Sequence, residues 1–245
     1  MEVDWKWFKQ GGLQMMTVIT CTNREMMMDN VFHNYSIQTM KNKELIIILN
    51  KDEMNLDVWR NEAKKYPSVT VCQLPERKMV SECKNIAIRK AKYDHIAKFD
   101  DDDYYAPAYL QTAWDVFMEN PEADIVGKSS VYFYFQDRKL LCLFSSANEN
   151  TWTDHVIDST LSFKKDIFQH VRFRKWKVGT DKIFQRDCIA KGYNIFSTDR
   201  YNHTVIRRTN QHHTWKITEQ SFIDICTNVV YTNDYQSIVT SPLLC

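Results

Sequence analysis

The chain has 245 residues, and its 32 basic and 31 acidic side chains leave a formal net charge of +1. That balance argues against a protein that binds nucleic acid through phosphate neutralisation. The seven cysteines form no CxxC pair, which argues against a zinc ribbon or a disulfide framework. No run approaches the roughly 20 apolar residues that span a bilayer, and "MEVDWKWFKQGG" lacks the apolar centre of a signal peptide. We therefore expect a soluble, cytoplasmic protein.

The first half of the chain alternates strand-like apolar runs with amphipathic stretches. Continuous apolar runs such as "ELIIIL" are typical of strands buried on both faces of a parallel sheet. The predicted strands are residues 17–22, 44–49, 69–74 and 95–99, and the predicted helices are residues 29–40, 53–66, 76–92 and 107–119. This order predicts an α/β fold with a doubly wound, mostly parallel sheet and helices on both faces. Ligands of such sheets bind outside the carboxyl ends of the strands.

The second half has a less regular pattern. "VYFYFQDRKLLCLF" (131–144) predicts a β-hairpin, and residues 157–164 predict one further strand. "TDKIFQRDCIAKG" (180–192) predicts a helix with Thr180 as its N-cap and Gly192 at its end. This half therefore adds a smaller antiparallel region to the same domain.

Four consecutive aspartates, Asp100 to Asp103, follow the fourth predicted strand at its carboxyl end. Carboxylates this close repel one another, so a bound cation would explain why they stand together. An EF-hand loop is excluded because Tyr104 and Tyr105 take its fifth and sixth positions, and the DxDxT motif of aspartyl-phosphate phosphatases is absent. The D-x-D spacing of Asp100 and Asp102 fits Mn²⁺ or Mg²⁺ bridging carboxylates to a diphosphate. A solvated acidic turn before the next helix is the alternative.

Three segments, "VITCTNR", "LIIILNKDE" and "SECKNIAIRKAKYDHIAKFDDDDYY", resemble in this order the family-2 glycosyltransferases, which have the GT-A fold. The family pattern is a strand ending in Thr-x-Asn-Arg, a strand ending near an Asp, an Ala-Arg-Asn helix, and a strand that runs into aspartates. The resemblance is good over residues 16–120 and continues more loosely to residue 215. It implies an inverting, metal-dependent hexosyltransferase that moves a sugar from a nucleoside-diphosphate donor, above all a UDP-sugar, to a hydroxyl acceptor.

The same resemblance divides the chain into four parts. Residues 1–14 would be an N-terminal extension, and residues 15–120 would bind the donor. Residues 121–215 would form the acceptor and catalytic half of the same domain, and residues 216–245 a C-terminal tail. The bacterial relatives that carry this pattern decorate the envelope, the spore coat or polysaccharides, so the acceptor would be a glycan, a lipid-linked sugar or a protein.

The resemblance also assigns individual residues. The residues that would contact the nucleotide sugar are Thr20, Thr22, Arg24, Asp52, Lys84, Asn85, Asp100, Asp101, Arg207 and Arg208. The metal would be bound by Asp102, with His203 and His212 competing for a further ligand position. The chain departs from the family at two of these positions. It has "NKDE" around Asp52 where "DDGS" is usual, and Lys84 where the family has Arg, which has a different donor geometry.

Asp181 stands at the start of a predicted helix, where the family places the acid that deprotonates the acceptor hydroxyl. A carboxylate in a partly desolvated cleft would have its pKa raised toward the useful range. Stabilisation of the helix N-terminus is the other interpretation of Asp181. Trp152, Trp176 and Trp215 are candidates for stacking on sugar rings, with core packing as the alternative.

Two other classes of function can be compared with this sequence. A nucleotidyltransferase shares the fold but needs a loop rich in Gly and Arg after the first strand, and "CTNREMMM" has none. A catalytically silent scaffold or glycan-binding module stays open, because little chain follows residue 215 to build an acceptor site. A homo-oligomer or a partner would then complete that site. The Trp5, Trp7 and Phe8 cluster leaves peripheral contact with a membrane or spore surface open.

Overall fold

The computed structural model describes residues 14–145, 148–177, 179–208 and 219–240, and within these residues the strands form two sheets. The larger sheet contains β1 (Met15–Thr22), β2 (Asn42–Leu49), β3 (Val69–Gln73), β4 (His95–Lys98), β6 (Ala123–Gly127), β9 (Thr151–Thr153), β10 (Ser162–Lys164) and β11 (Asn194–Ser197). The smaller sheet contains β5 (Tyr104–Tyr105), β7 (Val131–Phe135), β8 (Leu140–Phe144), β12 (His203–Arg207) and β13 (Thr227–Tyr231).

The first four strands confirm the predicted parallel layer. In the larger sheet the spatial order is β3-β2-β1-β4-β10-β6-β11-β9. β1 runs parallel to both β2 and β4, and β2 runs parallel to β3. The carboxyl ends of these strands therefore meet at one edge, and the aspartates that follow β4 lie there.

The described helices are α1 (Met28–Ser36), α2 (Leu56–Ala63), α3 (Val80–Lys90), α4 (Tyr109–Glu119), α5 (Thr180–Ile189), α6 (Glu219–Ile223) and α7 (Tyr235–Val239). Five of them, α1 to α5, occupy predicted segments but are shorter, whereas α6 and α7 lie outside those segments. The capping residues determine where the helices begin. The Asn55 side chain accepts the backbone N–H groups of Asp57 and Val58, so α2 begins three residues later than predicted. None of the described helices combines the length and apolar character that a membrane span requires.

Two predictions for the second half needed correction, whereas the β7–β8 hairpin is confirmed. Of residues 157–164, only β10 is a strand, because residues 158–160 form a 3₁₀ turn. β10 runs antiparallel between β4 and β6. Thr180 is not the N-cap of α5: Gly179 takes that position with φ +73°, a left-handed conformation that glycine adopts without steric cost.

Apolar side chains cover both faces of the larger sheet. Along β2, alternate residues belong to different clusters, since successive side chains of a strand point to opposite faces. One face packs against Phe32 and Trp59, and the other against Phe163 and Phe184. The rigid layer between these clusters fixes the strand ends that carry the polar residues.

The smaller sheet brings a late segment of the chain back to the aspartates. β12 pairs antiparallel with β5, directly after the aspartates, and parallel with β7. Residues 203–208 consequently lie beside a loop about 100 residues earlier in the chain. The sequence predicted this neighbourhood only through the family resemblance.

Candidate active site

Residues 100–103, hereafter the acidic loop, alternate between exposed and buried side chains. The side chains of Asp100 and Asp102 keep 35% and 17% of their surface exposed, whereas Asp101 and Asp103 are buried. The Asn30 amide donates to the backbone carbonyls of Asp101 and Asp103 at 2.8 and 2.9 Å and so holds the loop in shape. The side chains of Asp100 and Asp102 thus face the cleft above Lys98 and Asp158, whereas those of Asp101 and Asp103 contact other groups of the protein.

Arg24 lies against the acidic loop from the end of β1. Its Nε donates to Asp101 Oδ2 at 3.1 Å and its Nη1 to Asp102 Oδ2 at 2.8 Å. The Thr22 hydroxyl donates to the same oxygen of Asp101. The carboxylate of Asp101 is therefore engaged by protein groups, and a guanidinium neutralises the loop in the geometry that suits carboxylates best.

A buried lysine that sequence reasoning missed forms the floor of the cleft. Lys98 Nζ lies 2.6 Å from Asp100 Oδ1 and 3.0 Å from Asp158 Oδ2. Lys84 reaches the other oxygen of Asp158 at 3.5 Å. A charged residue inside the apolar strand "HIAKF" was the available signal for Lys98, because lysine is almost never buried unless paired. Nothing local in the sequence distinguishes Asp158.

Asp181 begins α5 and is half-buried. The Gln185 amide fixes this helix to the segment that carries Asp158, accepting from the backbone N–H of Val156 at 2.8 Å and donating to its carbonyl at 2.9 Å. Burial raises the pKa of Asp181, and the negative charge of Asp158 raises it further. A carboxylate of raised pKa suits general-base chemistry.

His203 and Asp103 form a pair behind the acidic loop. Both side chains are buried, and His203 Nε2 lies 3.6 Å from Asp103 Oδ2. Burial is the main cause that lowers the pKa of His203 and raises that of Asp103, which favours the neutral form of each. His203 therefore lies beside Asp103 of the acidic loop, and its role as a metal ligand stays a prediction. The competing His212 lies outside the described residues.

The two predicted arginines lie at the carboxyl end of β12: Arg207 is its last residue, and Arg208 follows it. Arg207 is buried at the end of that strand. Arg208 Nη1 donates to the backbone carbonyl of Asp102 at 2.5 Å. The segment after β12 therefore contacts the acidic loop directly. The diphosphate role of the two arginines stays a prediction.

Three of the predicted donor residues lie differently. The Asn85 amide both donates to and accepts from the backbone of Phe173, at 2.8 and 3.1 Å, so it fixes that loop. Asp52 is exposed and accepts the backbone N–H of Glu76 at 3.1 Å. Thr20 is buried in β1. Their donor contacts stay predictions.

A divalent cation can be tested against the groups present. Asp100 and Asp102 each keep one carboxylate oxygen that makes no hydrogen bond within the described residues. An oxygen donor set with two single carboxylate contacts fits Mg²⁺ or Mn²⁺ when substrate phosphates supply the remaining ligands. In the described part of the chain, no three acidic, His or Cys side chains form a ready cation cage. The residues thus fit a cation that is shared with a diphosphate.

Solved structures with the same architecture are glycosyltransferases. S. aureus TarS 1–349 has 12% identity and a TM-score of 0.63, with 78% of this chain and 60% of that chain covered. Its complex with UDP-GlcNAc gives 13% identity and 0.62, with 86% and 64% covered. The mannosyltransferase PcManGT from Pyrobaculum calidifontis, in complex with GDP-Man and Mn²⁺, gives 16% and 0.60, with 85% and 63% covered.

These neighbours confirm the predicted GT-A fold, and the chain spans between 60% and 64% of their lengths. A comparison with curated protein sequences gives no significant match. The model of the family "Glycosyl transferase family 2" matches residues 17–186, which include β1, the acidic loop and Asp181. The chain therefore belongs to glycosyl transferase family 2.

Proposed function

We propose that the protein transfers a sugar, with inversion, from a nucleoside-diphosphate donor to a hydroxyl acceptor, and that the donor is a UDP-sugar. One observation carries this proposal. Lys98 pairs with the partly exposed carboxylate of Asp100, two residues from Asp102, and also with Asp158. The half-buried Asp181 lies near enough to Asp158 and Lys98 for their charges to change its pKa. Donor-binding groups and a basic carboxylate are thereby joined in one network, as a transfer reaction needs.

The donor side is supported by the charges around the acidic loop. Asp102 would hold Mn²⁺ or Mg²⁺ through its unbonded oxygen, and such a cation supplies neutralisation of the charge on a leaving diphosphate. Lys98 fixes the carboxylate of Asp100, which would then accept from the ribose hydroxyls. Arg24 orients Asp102. The nucleotide sugars in TarS and PcManGT, and the Mn²⁺ in PcManGT, favour a ligand of this class.

Asp181 would act as the base. Its carboxylate accepts the proton of the acceptor hydroxyl while that oxygen attacks the anomeric carbon and the nucleotide leaves from the opposite face, so the anomeric centre is inverted. Partial burial keeps the carboxylate weakly solvated and therefore more basic. Asp158, held by Lys84 and Lys98, adds a fixed negative charge nearby.

A thermal melt tests the donor site. Wild-type protein is heated with UDP, GDP or dTDP, each with and without Mn²⁺. Ligand at about 100 times its Kd adds about 2.7 kcal/mol of stability, which raises the Tm of a chain of this size by roughly 5–10 °C. We expect a Mn²⁺-dependent rise with UDP that is lost in Asp102→Ala. Asp154→Ala, which removes an exposed acid elsewhere, is the control and should keep the rise.

Absence of a shift with all three nucleotides would contradict the donor site. It would favour the second class considered for this chain, a catalytically silent scaffold or glycan-binding protein. A shift with GDP alone would keep the site and replace the proposed UDP-sugar. The nature of the acceptor, the oligomeric state and the cellular location stay predictions, as does the division of the chain into donor and acceptor halves.

A further inference from the structure

Residues 172–177, with the sequence RFRKWK, form a cationic loop just before α5. Four of these six residues are basic, although the whole chain has a net charge of only +1. Every side chain of the loop except that of Phe173 is exposed. So dense a positive charge is a local feature that the overall composition does not explain.

The cationic loop is firmly anchored at the rim of the cleft. Phe173 stacks on Phe184 with ring centroids 4.2 Å apart, and Asn85 of α3 binds its backbone. Arg174 pairs with Asp187 of α5 at 2.6 Å. Lys84, which contacts Asp158, lies 5.0 Å over the Phe173 ring. The loop therefore borders the same network that Asp181 shares.

Three cations of this region are unpaired in the part of the chain that the structure describes. Arg172, Lys177 and, on α5, Lys182 make no ion pair with any acid among the described residues. Trp176 keeps 60% of its surface exposed between two lysines. Lys175, which precedes Trp176, pairs with Glu82 at 3.0 Å, so Lys177 is the unpaired lysine beside the tryptophan. An exposed tryptophan next to an unpaired cation presents a flat apolar face and a positive field to the same ligand.

The reacting hydroxyl would lie within reach of these groups. Lys177 precedes Asp181 by four residues, so their Cα atoms are at most about 14 Å apart. Lys182 is the immediate neighbour of Asp181. A ligand held by the cationic loop could thus present a hydroxyl to Asp181 without any rearrangement of the fold.

We propose that the cationic loop and Lys182 bind an anionic acceptor, a glycan chain that carries phosphate or carboxylate groups, with Trp176 stacked on one of its rings. This inference rests on the proposed function and names its acceptor class. Guanidinium groups match phosphate and carboxylate oxygens geometrically, and lysines add a less directional attraction. Because these charges are exposed, salt screens their attraction to the acceptor.

Polymer binding tests the proposal with the full chain at low salt. The fluorescently labelled probes are polyphosphate, polygalacturonate and neutral dextran. The double variant Arg172→Gln/Lys177→Gln is compared with Lys41→Gln/Lys90→Gln, which removes the same charge from exposed lysines without partners in the described structure. We expect binding of at least one polyanion and none of dextran, with a roughly tenfold loss in the first variant only. Equal losses in both variants, or equal binding of dextran, would overturn the proposal.

A separate pair of variants tests the stacking role of Trp176. Trp176→Ala should weaken polygalacturonate binding by about three- to tenfold and leave polyphosphate, which has no rings, unaffected. Tyr231→Ala, at an exposed aromatic side chain on β13, should change neither. Equal binding of polygalacturonate by wild type and Trp176→Ala would exclude ring stacking at this position.

Three further outcomes distinguish this inference from membrane binding and from the proposed function. Loop-dependent binding of phosphatidylglycerol vesicles, without binding of either soluble polyanion, would replace the acceptor by a membrane surface. A UDP shift in the melt without loop-dependent polymer binding would overturn the acceptor inference and keep the proposed function. Polymer binding through the loop, without a rise in Tm by any nucleotide, would support an anion site and contradict the proposed transferase function.

Discussion

The two halves of the domain build their parts of the site in different ways. In residues 15–120, the polar groups follow strands that are neighbours in the sheet, so Arg24 and the acidic loop meet at one edge. In the second half, Asp158 and Asp181 stand on a 3₁₀ turn and a helix that contact each other through Gln185 and contact the first half through Lys98. The first arrangement depends on strand order, and the second on a few individual side chains.

This difference has a mechanical consequence. Strand ends are fixed by many backbone hydrogen bonds, so the loss of one side chain leaves the acidic loop near its place. The 156–160 segment and α5 are held largely by side chains from other parts of the chain, among them the amide of Gln185, the ammonium of Lys98 and the hydroxyl of Tyr105. We therefore expect the second half of the domain to be the more sensitive to single substitutions.

The largest effect should follow from Asp181→Asn. Loss of the base should lower kcat by about 10²- to 10⁴-fold, while the UDP-induced rise in Tm persists because the acidic loop is untouched. Asp166→Asn, at an exposed acid, should keep normal turnover. Transfer assays and melts on the same preparations measure both properties. Wild-type turnover in Asp181→Asn would exclude Asp181 as the base.

The second-largest effect should follow from removal of Lys98, which links the two halves of the domain. Lys98→Met leaves Asp100 and Asp158 without their shared cation, and loss of one partner from a buried pair costs about 3 kcal/mol of unfolding free energy. Urea unfolding measures this cost. Addition of Asp158→Asn should recover part of it, because the two sites interact. Lys51→Met, from the exposed pair with Glu53, should change little. Equal stability of Lys98→Met and wild type would contradict the structural role of this lysine.

A steric substitution tests how closely the second half is fitted to the sheet. A Cβ on Gly127 of β6 would meet Val156 Cγ2 at 2.6 Å. Gly127→Ala should therefore displace the segment that leads to Asp158 and cost about 1–3 kcal/mol of unfolding free energy. Val156→Ala in the same chain removes the clashing methyl group and should recover part of that cost. A fully stable single variant would show that the 156–160 segment is less constrained than proposed.

The smallest effect concerns pH. Burial and the charge of Asp158 raise the pKa of Asp181, while Lys84 and Lys98 lower it. Asp158→Asn removes a raising charge and keeps the two lowering charges, so the pKa of Asp181 should fall. The base then stays ionised to lower pH, and the acid limb of the kcat profile should move to lower pH. A displacement to higher pH would mean that Asp158 does not face Asp181; Asp154→Asn is the control.

Part of this molecule could be predicted from local sequence. The continuous apolar run of β2 and the amphipathic pattern of α3 are properties of neighbouring residues, and the acidic loop had to follow its strand. Element ends were less predictable. The start of α2 depends on the Asn55 cap, and α5 begins after a left-handed Gly179.

What the sequence by itself determined is the order of the first four strands with the helices between them, the doubly wound layer, and the placement of aspartates at the carboxyl end of β4. Only the tertiary structure decided which aspartates face the cleft, that Lys98 pairs with Asp158, and that His203 is buried against Asp103. The physical reason is the range of the interactions. Hydrophobic periodicity acts between neighbours in the chain, whereas the Lys98–Asp158 and His203–Asp103 contacts join residues 60 or more positions apart and depend on sheet order and register.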